Sequence, residues 1–135
     1  MSRYLLDTNI VSYFLRGQNP ALAHRVVEAL EAQSAAISAI TRAELRFGQA
    51  GLPIADKRRR AIDLVFTQLV VLPWTSVAAD AYGAIKDTLR RQGKPIGDMD
   101  TLIATHALAE DLILVTHNTR HFEQVPGLKL EDWMV

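Results

Sequence analysis

Short apolar runs alternate with helical stripes along the whole chain, and this alternation constrains the fold more than any other feature. "YLLD" opens with a brief apolar run of the length of a buried strand. "TNIVSYFLRG" then carries helical spacing, with Gly17 as its stop. "PALAHRVVEALEAQ" places Leu22, Val26, Val27 and Leu30 on one helical stripe, and Pro20 suits a first turn. "AAISAI" reads as a second short strand. "TRAELRFGQAG" reads as the next helix, closed near Gly48 or Gly51. "PIADKRRRAIDLVFTQLVVLPW" predicts a long helix running into a strand at about Val70 to Leu72, stopped by Pro73. "TSVAADAYGAIKDTLRRQG" predicts a helix capped by Thr75 or Ser76 and ended at Gly93. Its period-four apolar face is Val77, Ala81, Ile85 and Leu89. "DMDTLIATHALAED" predicts a largely buried helix, "LILVT" a strand, "HNTRHFEQVPG" a loop with a helical turn, and "LKLEDW" an edge strand.

Strand and helix in this order argue for an α/β fold: three layers, α/β/α, around a short, mostly parallel central sheet. A length of 135 residues fits one domain, residues 1–135. Right-handed crossovers then gather the carboxyl ends of the strands on one edge, where α/β proteins place their sites.

Composition narrows the chemistry. The chain has no cysteine, which removes disulfides, thiolate metal sites and cysteine nucleophiles, and fits a reducing cytoplasm. No run approaches the ~20 apolar residues of a membrane span, and no basic segment leads into an apolar one as in a secretion signal. Fifteen basic residues balance fifteen acidic ones. A polyanion would therefore be recognised through charge distribution rather than net charge. The basic residues cluster in "DKRRR" and "KDTLRRQGK".

The acids fall at informative places. Asp7 ends the first strand and precedes a helix. Glu44 lies in the first turn of the helix after the second strand, Asp98 and Asp100 open the helix "DMDTLIATHALAED", and Asn118 follows the strand "LILVT". Each has an ordinary structural explanation. Asp7 and Asp98 suit N-caps, "TRAE" fits a capping box with Thr41 as cap and Glu44 reaching back, and Asp100 suits a first helical turn. Together they ask for more. Three or four carboxylates meeting on one sheet edge repel one another, and some take up protons unless a cation intervenes. An all-oxygen set suits Mg²⁺ or Mn²⁺ rather than zinc. Such an ion activates water and steadies a phosphoryl oxygen, which points to a phosphate ester as substrate.

At this point "LLDTNIVSYFLRG", "ISAITRAELRFG", "GKPIGDMDTLIATHAL" and "LVTHNTRHFEQVPGLKLEDW" resemble the PIN-domain ribonucleases of the VapC type, the toxin halves of VapBC toxin–antitoxin pairs. The resemblance runs from Leu5 to Trp133. It matches the family's first acid to Asp7, the second to Glu44 and the third to Asp100, with Asp98 as a helper. Where the family often carries a further aspartate, this chain has Asn118 within "THNT", a neutral and weaker ligand suited to orienting water or the substrate backbone. The resemblance implies a Mg²⁺-dependent endoribonuclease toxin that cuts structured RNA, chiefly transfer RNA and by its "NTRHFE" ending the initiator, and so inhibits translation. It implies metal held by Asp7 and Asp100 with Glu44 and Asp98 assisting, a cytoplasmic homodimer, and a cognate VapB-type antitoxin. That antitoxin contacts DNA on the pair's behalf and lays a tail across the acidic pocket.

Other features carry less. His117 and His121 stand four apart, a spacing that holds zinc on a helix, but the segment follows a strand directly. His106 lies among Ile103, Ala104 and Ala107 and reads as a core histidine, while His24 reads as surface. "QGKPIGD" lacks the spacing of a phosphate loop. "LVVLPW" lacks the third-strand aspartate of a response-regulator receiver. "DKRRR" reads as a solvated face or an RNA-phosphate flank, and Lys86, Arg90, Arg91 and Lys94 form a second basic group. Arg42 and Arg46 flank Glu44 and are placed to touch substrate or pair with the acids. Phe14, Phe47 and Trp74 suit core, dimer contact or antitoxin groove. Two other functions fit the acids: a Mg²⁺-dependent phosphatase on a similar sheet, and a catalytically silent binding module whose acids are helix caps.

Overall fold

The computed structural model describes all 135 residues. Five strands form one sheet: β1 (Tyr4–Leu6), β2 (Ala35–Ser38), β3 (Val70–Leu72), β4 (Ile113–Val115) and β5 (Leu130–Glu131). Their order is β3-β2-β1-β4-β5, and every pairing is parallel, so the sheet is wholly rather than mostly parallel. Seven helices connect or follow them: α1 (Thr8–Arg16), α2 (Pro20–Glu31), α3 (Ala39–Ala50), α4 (Lys57–Gln68), α5 (Ser76–Arg91), α6 (Asp98–Ala109) and α7 (Thr119–Phe122). None is long and apolar enough to cross a membrane.

Adjacent residues of each strand point to opposite faces, and each face is covered. Leu6, Ile37 and Val115 pack on one face against Ile10 and Val11 of α1, Val26 of α2, Leu45 of α3 and Val65 of α4. Leu5, Ala36 and Leu114 pack on the other against Leu89 of α5, Ile103 and Ala107 of α6, and Phe122 of α7.

Local chemistry sets several boundaries. Asp7 accepts from the Ile10 N–H at 2.8 Å and caps α1, which Gly17 ends in the left-handed region at φ 68°. Asn19 caps α2 with Pro20 in its first turn. Asp56 caps α4 through the Arg58 N–H, so that helix begins at Lys57 and not at the start of "PIADKRRR". Along α5, Leu89 is buried but Val77 is exposed, and Ala78 takes the inward position near the start. The face is therefore turned from the expected period-four row. Thr75 occupies the cap position of α5 without a side-chain capping bond.

The helix after β2 starts earlier than the sequence predicts. Ser38 ends β2 and caps α3 by accepting from the Ile40 N–H at 3.1 Å. Thr41 is therefore inside the helix, no capping box forms, and Glu44 sits in the second turn.

Sheet order places the site. The chain adds β2 and β3 on one side of β1, then β4 and β5 on the other. This reversal leaves a crevice at the carboxyl ends of β1 and β4, the position where open parallel sheets bind ligands. Asp7 follows β1 there, and Thr116 follows β4.

Candidate active site

Asp7 is the centre of the crevice. It is 5% exposed, and burial pushes its carboxyl up from the ordinary 3.8 to about 6, with the negative charges of Asp100 and Glu44 adding to the rise. The Thr116 hydroxyl and the Ile10 N–H oppose that rise by hydrogen bonding to the carboxylate. Asp100 and Glu44, from two other elements, thus lie near enough to Asp7 to act on its charge.

Each acid is held differently. Glu44 accepts from the Thr8 hydroxyl at 2.6 Å, and the Thr8 oxygen lies 3.1 Å from the Thr41 hydroxyl. Since Thr8 has one hydroxyl proton, donated to Glu44, the Thr41 hydroxyl donates to Thr8. A chain of two threonines thus fixes Glu44 relative to α1. Asp100 Oδ2 lies 2.9 Å from His121 Nε2. Asp98, in the same turn of α6, instead pairs outward with Lys86 of α5 at 3.0 Å, and its side chain is 77% exposed. Asn118 lines a cavity of about 230 Å³ beside Asp7, with Asn9, Tyr13, Thr116 and His117. Its side chain caps nothing, while its backbone N–H donates to Thr116.

Capping explains Asp7 alone among the four acids. α6 has Gly97 at its cap position with no side-chain capping bond, so neither Asp98 nor Asp100 serves there, and Glu44 points to Thr8. Glu44, Asp98 and Asp100 are therefore not accounted for as helix caps.

The donor set fits a hard divalent cation. It is all oxygen, its central member is buried, and the charges of Asp100 and Glu44 raise the proton affinity of that central Asp7. No three acid or histidine side chains close on a single point. That argues against a closed zinc-type cage, whereas Mg²⁺ keeps several waters and is commonly bound through one or two carboxylates. His117 and His121 do not form a pair: the first lies 3.0 Å from Asp132 and the second contacts Asp100.

The remaining candidates divide between surface and core. His106 is fully buried, with Nδ1 2.7 Å from Ser38 Oγ, and Nε2 has no partner. Arg42 and Arg46 stack on Phe66 rather than meeting the acids. In "DKRRR", Arg59 ties α4 to the carbonyls of Gln49 and Leu52. Lys57 and Arg58 border a groove of about 570 Å³ that also reaches Thr8, Arg16 and Glu44. Phe14 packs against the core, Phe47 is exposed, and the Trp74 indole donates to the Leu102 carbonyl. The sequence did not single out Thr8 or Thr116, and it pointed Thr41 to a capping box and His121 to a zinc spacing rather than to these contacts. The first follows Asp7 directly and Thr116 follows β4, which is the only local signal either carries.

Comparison with known proteins agrees with this architecture. The PIN domain family matches residues 4–128. Ribonuclease VapC1 of Haemophilus influenzae (strain R2866) is 37% identical over 130 residues, covering 96% of this chain and 97% of the relative. A tRNA(fMet)-specific endonuclease VapC of Shigella flexneri is 35% identical, covering 98% of this chain and 99% of the relative. Among solved structures, VapBC2 from Rickettsia felis, bound to a promoter DNA fragment, superposes with a TM-score of 0.89 at 31% identity, covering 96% of this chain and 98% of that one. The whole length of the chain, its sheet order and the acids at its switch point converge on one conclusion: the chain belongs to the PIN domain family, in its VapC branch.

Proposed function

We propose that this chain is a metal-dependent endoribonuclease toxin that cuts structured RNA in the cytoplasm and thereby halts translation. What supports the reading is that Asp7, Glu44 and Asp100 come from three separate elements to the carboxyl end of a parallel sheet, near enough that the charges of Asp100 and Glu44 help to raise the buried Asp7 carboxyl. Transfer RNA, and the initiator in particular, is the favoured substrate, because the Shigella flexneri relative is named for tRNA(fMet).

Asp7 and Asp100 are the residues that would hold Mg²⁺ or Mn²⁺, with Glu44 beside them and Asp98 within the same helical turn. A cation bound there would offset the carboxylate charge, make water more acidic and steady a phosphoryl oxygen. Glu44, held by Thr8, would serve as the base that accepts a proton from attacking water. Asn118, Asn9, Tyr13 and His117 line the cavity beside Asp7 and would meet the nucleotide next to the cleaved bond. Lys57 and Arg58 supply positive charge at the rim for flanking phosphates.

The proposed partner is a VapB-type antitoxin, supported by VapBC complexes among the similar structures. DNA contact belongs to that antitoxin, and the toxin is proposed to work as a homodimer. The test is direct: purified chain is mixed with transfer RNA in Mg²⁺ or in EDTA. Cleavage in Mg²⁺ alone, lost in Asp7→Asn, supports the reading. Intact RNA, with release of phosphate from a small ester instead, would put a phosphatase in its place.

A further inference from the structure

The first turn of α6 carries two carboxylates with different fates, and one histidine accounts for the difference. Asp98 is drawn outward by Lys86, whereas Asp100 is engaged by His121. His121 Nε2 lies 2.9 Å from Asp100 Oδ2 and also 2.9 Å from the Ile96 carbonyl oxygen. Both neighbours are acceptors, so Nε2 carries the proton and donates to the two together. The ring is held in turn by the buried Phe122, which it meets edge-on with centroids 5.2 Å apart.

α6 has particular need of such a tie. Its cap position is Gly97, at φ 91°, and no side chain caps the helix there. His121 reaches across from α7 and binds both the Ile96 carbonyl before that glycine and the Asp100 carboxylate three residues after it. It thereby fixes the turn that carries Asp100. The only side-chain hydrogen bond of Asp100 goes through Oδ2, and Oδ1 makes none.

We propose that His121 is a positioning residue that holds the Asp100 carboxylate in the orientation needed to bind a divalent cation. The inference rests on the metal-dependent reading above. Partners of this kind, which orient a ligand without touching the metal, alter metal affinity when removed by about 10- to 100-fold. Glutamine at position 121 can place an amide N–H near the position of Nε2. Alanine cannot.

The experiment titrates the full-length chain with Mg²⁺ and follows its thermal denaturation, with kcat and KM for RNA cleavage measured beside it. Compared are the wild type, His121→Ala, His121→Gln and Asp100→Asn. His121→Ala should need at least about 10-fold more Mg²⁺ for the same rise in Tm. His121→Gln should recover most of the response, and the loss should fall on kcat more than on KM. If His121→Ala does not fold, His121→Asn, too short to span both acceptors, takes its place. A His121→Ala or His121→Asn chain whose Tm is lower throughout but whose Mg²⁺ response equals the wild type's would overturn the proposal, because His121 would then be structural only. Asp100→Asn separates this from failure of the underlying reading. If Asp100→Asn keeps the full Mg²⁺ response, the metal site itself is misplaced and the inference about His121 falls with it.

Discussion

Burying the Asp7 carboxylate is unfavourable while it is charged, and its pKa measures by how much. Burial, together with the charges of Asp100 and Glu44, lifts it from 3.8 to about 6. Between those values the native state binds more protons than the unfolded chain, so stability falls as pH rises through that window and stays reduced above it. At pH 7 the cost is about 3 kcal/mol. Asp7→Asn removes the charge and keeps an oxygen to accept from Ile10. In EDTA at neutral pH that variant should be more stable than the wild type by about 1–3 kcal/mol, a shift of several degrees in Tm. The same substitution should lower RNA cleavage by at least about 100-fold. Thermal denaturation and a cleavage assay check the two halves, and a less stable Asp7→Asn in EDTA would deny that the carboxylate is strained. The residue's position was legible in the sequence, since an acid closing an apolar run before a helix is visible in "YLLDTN". Glu44 was legible too, as an acid after the second strand, but Thr116 was not: it lies far along the chain, and the parallel pairing of β1 with β4 brings it near.

Among the elements, α6 concentrates the chemistry, with acids in its first turn and a buried histidine near its end. Asp98 and Asp100 are two residues apart and read alike in sequence, yet Lys86 takes one outward and His121 holds the other. Asp98→Asn should therefore reduce cleavage by less than about tenfold, and Asp100→Asn by at least about 100-fold. Equal losses would place both acids in the site. His106, fully buried against Ser38, has its pKa lowered by burial. Its contribution to stability is complete above the unfolded value of 6.5 and declines as pH falls below it. Asp7 acts with the opposite sign over part of that range, so the measurement is a difference. Wild type minus His106→Asn, in urea midpoint, should shrink steadily from pH 7 to pH 5, and a constant difference would contradict it. The start of α3 shows why helix ends resist reading from sequence. "TRAE" points to Thr41 as the cap, but the strand pairs with β3 only as far as Ser38↔Leu72, and Ser38 takes the cap instead.

For the molecule as a whole, the reversal of strand order is what turns scattered acids into a site. Alternating apolar runs made the parallel sheet and both helical layers legible, since each strand must be covered twice and the sequence supplies a helix after nearly every strand. The outward turn of Asp98, the threonine chain behind Glu44 and the hold of His121 on Asp100 were not legible, because each depends on side chains brought together from different elements. The account's central claim is that the acids gathered at the end of β1 cut RNA. Mapping RNA 5′ ends in bacteria after brief induction of the chain, beside induction of the Asp100→Asn variant, tests it most directly. The account predicts a dominant new end within a transfer RNA that the variant fails to produce. Identical 5′-end profiles from the two chains would contradict it.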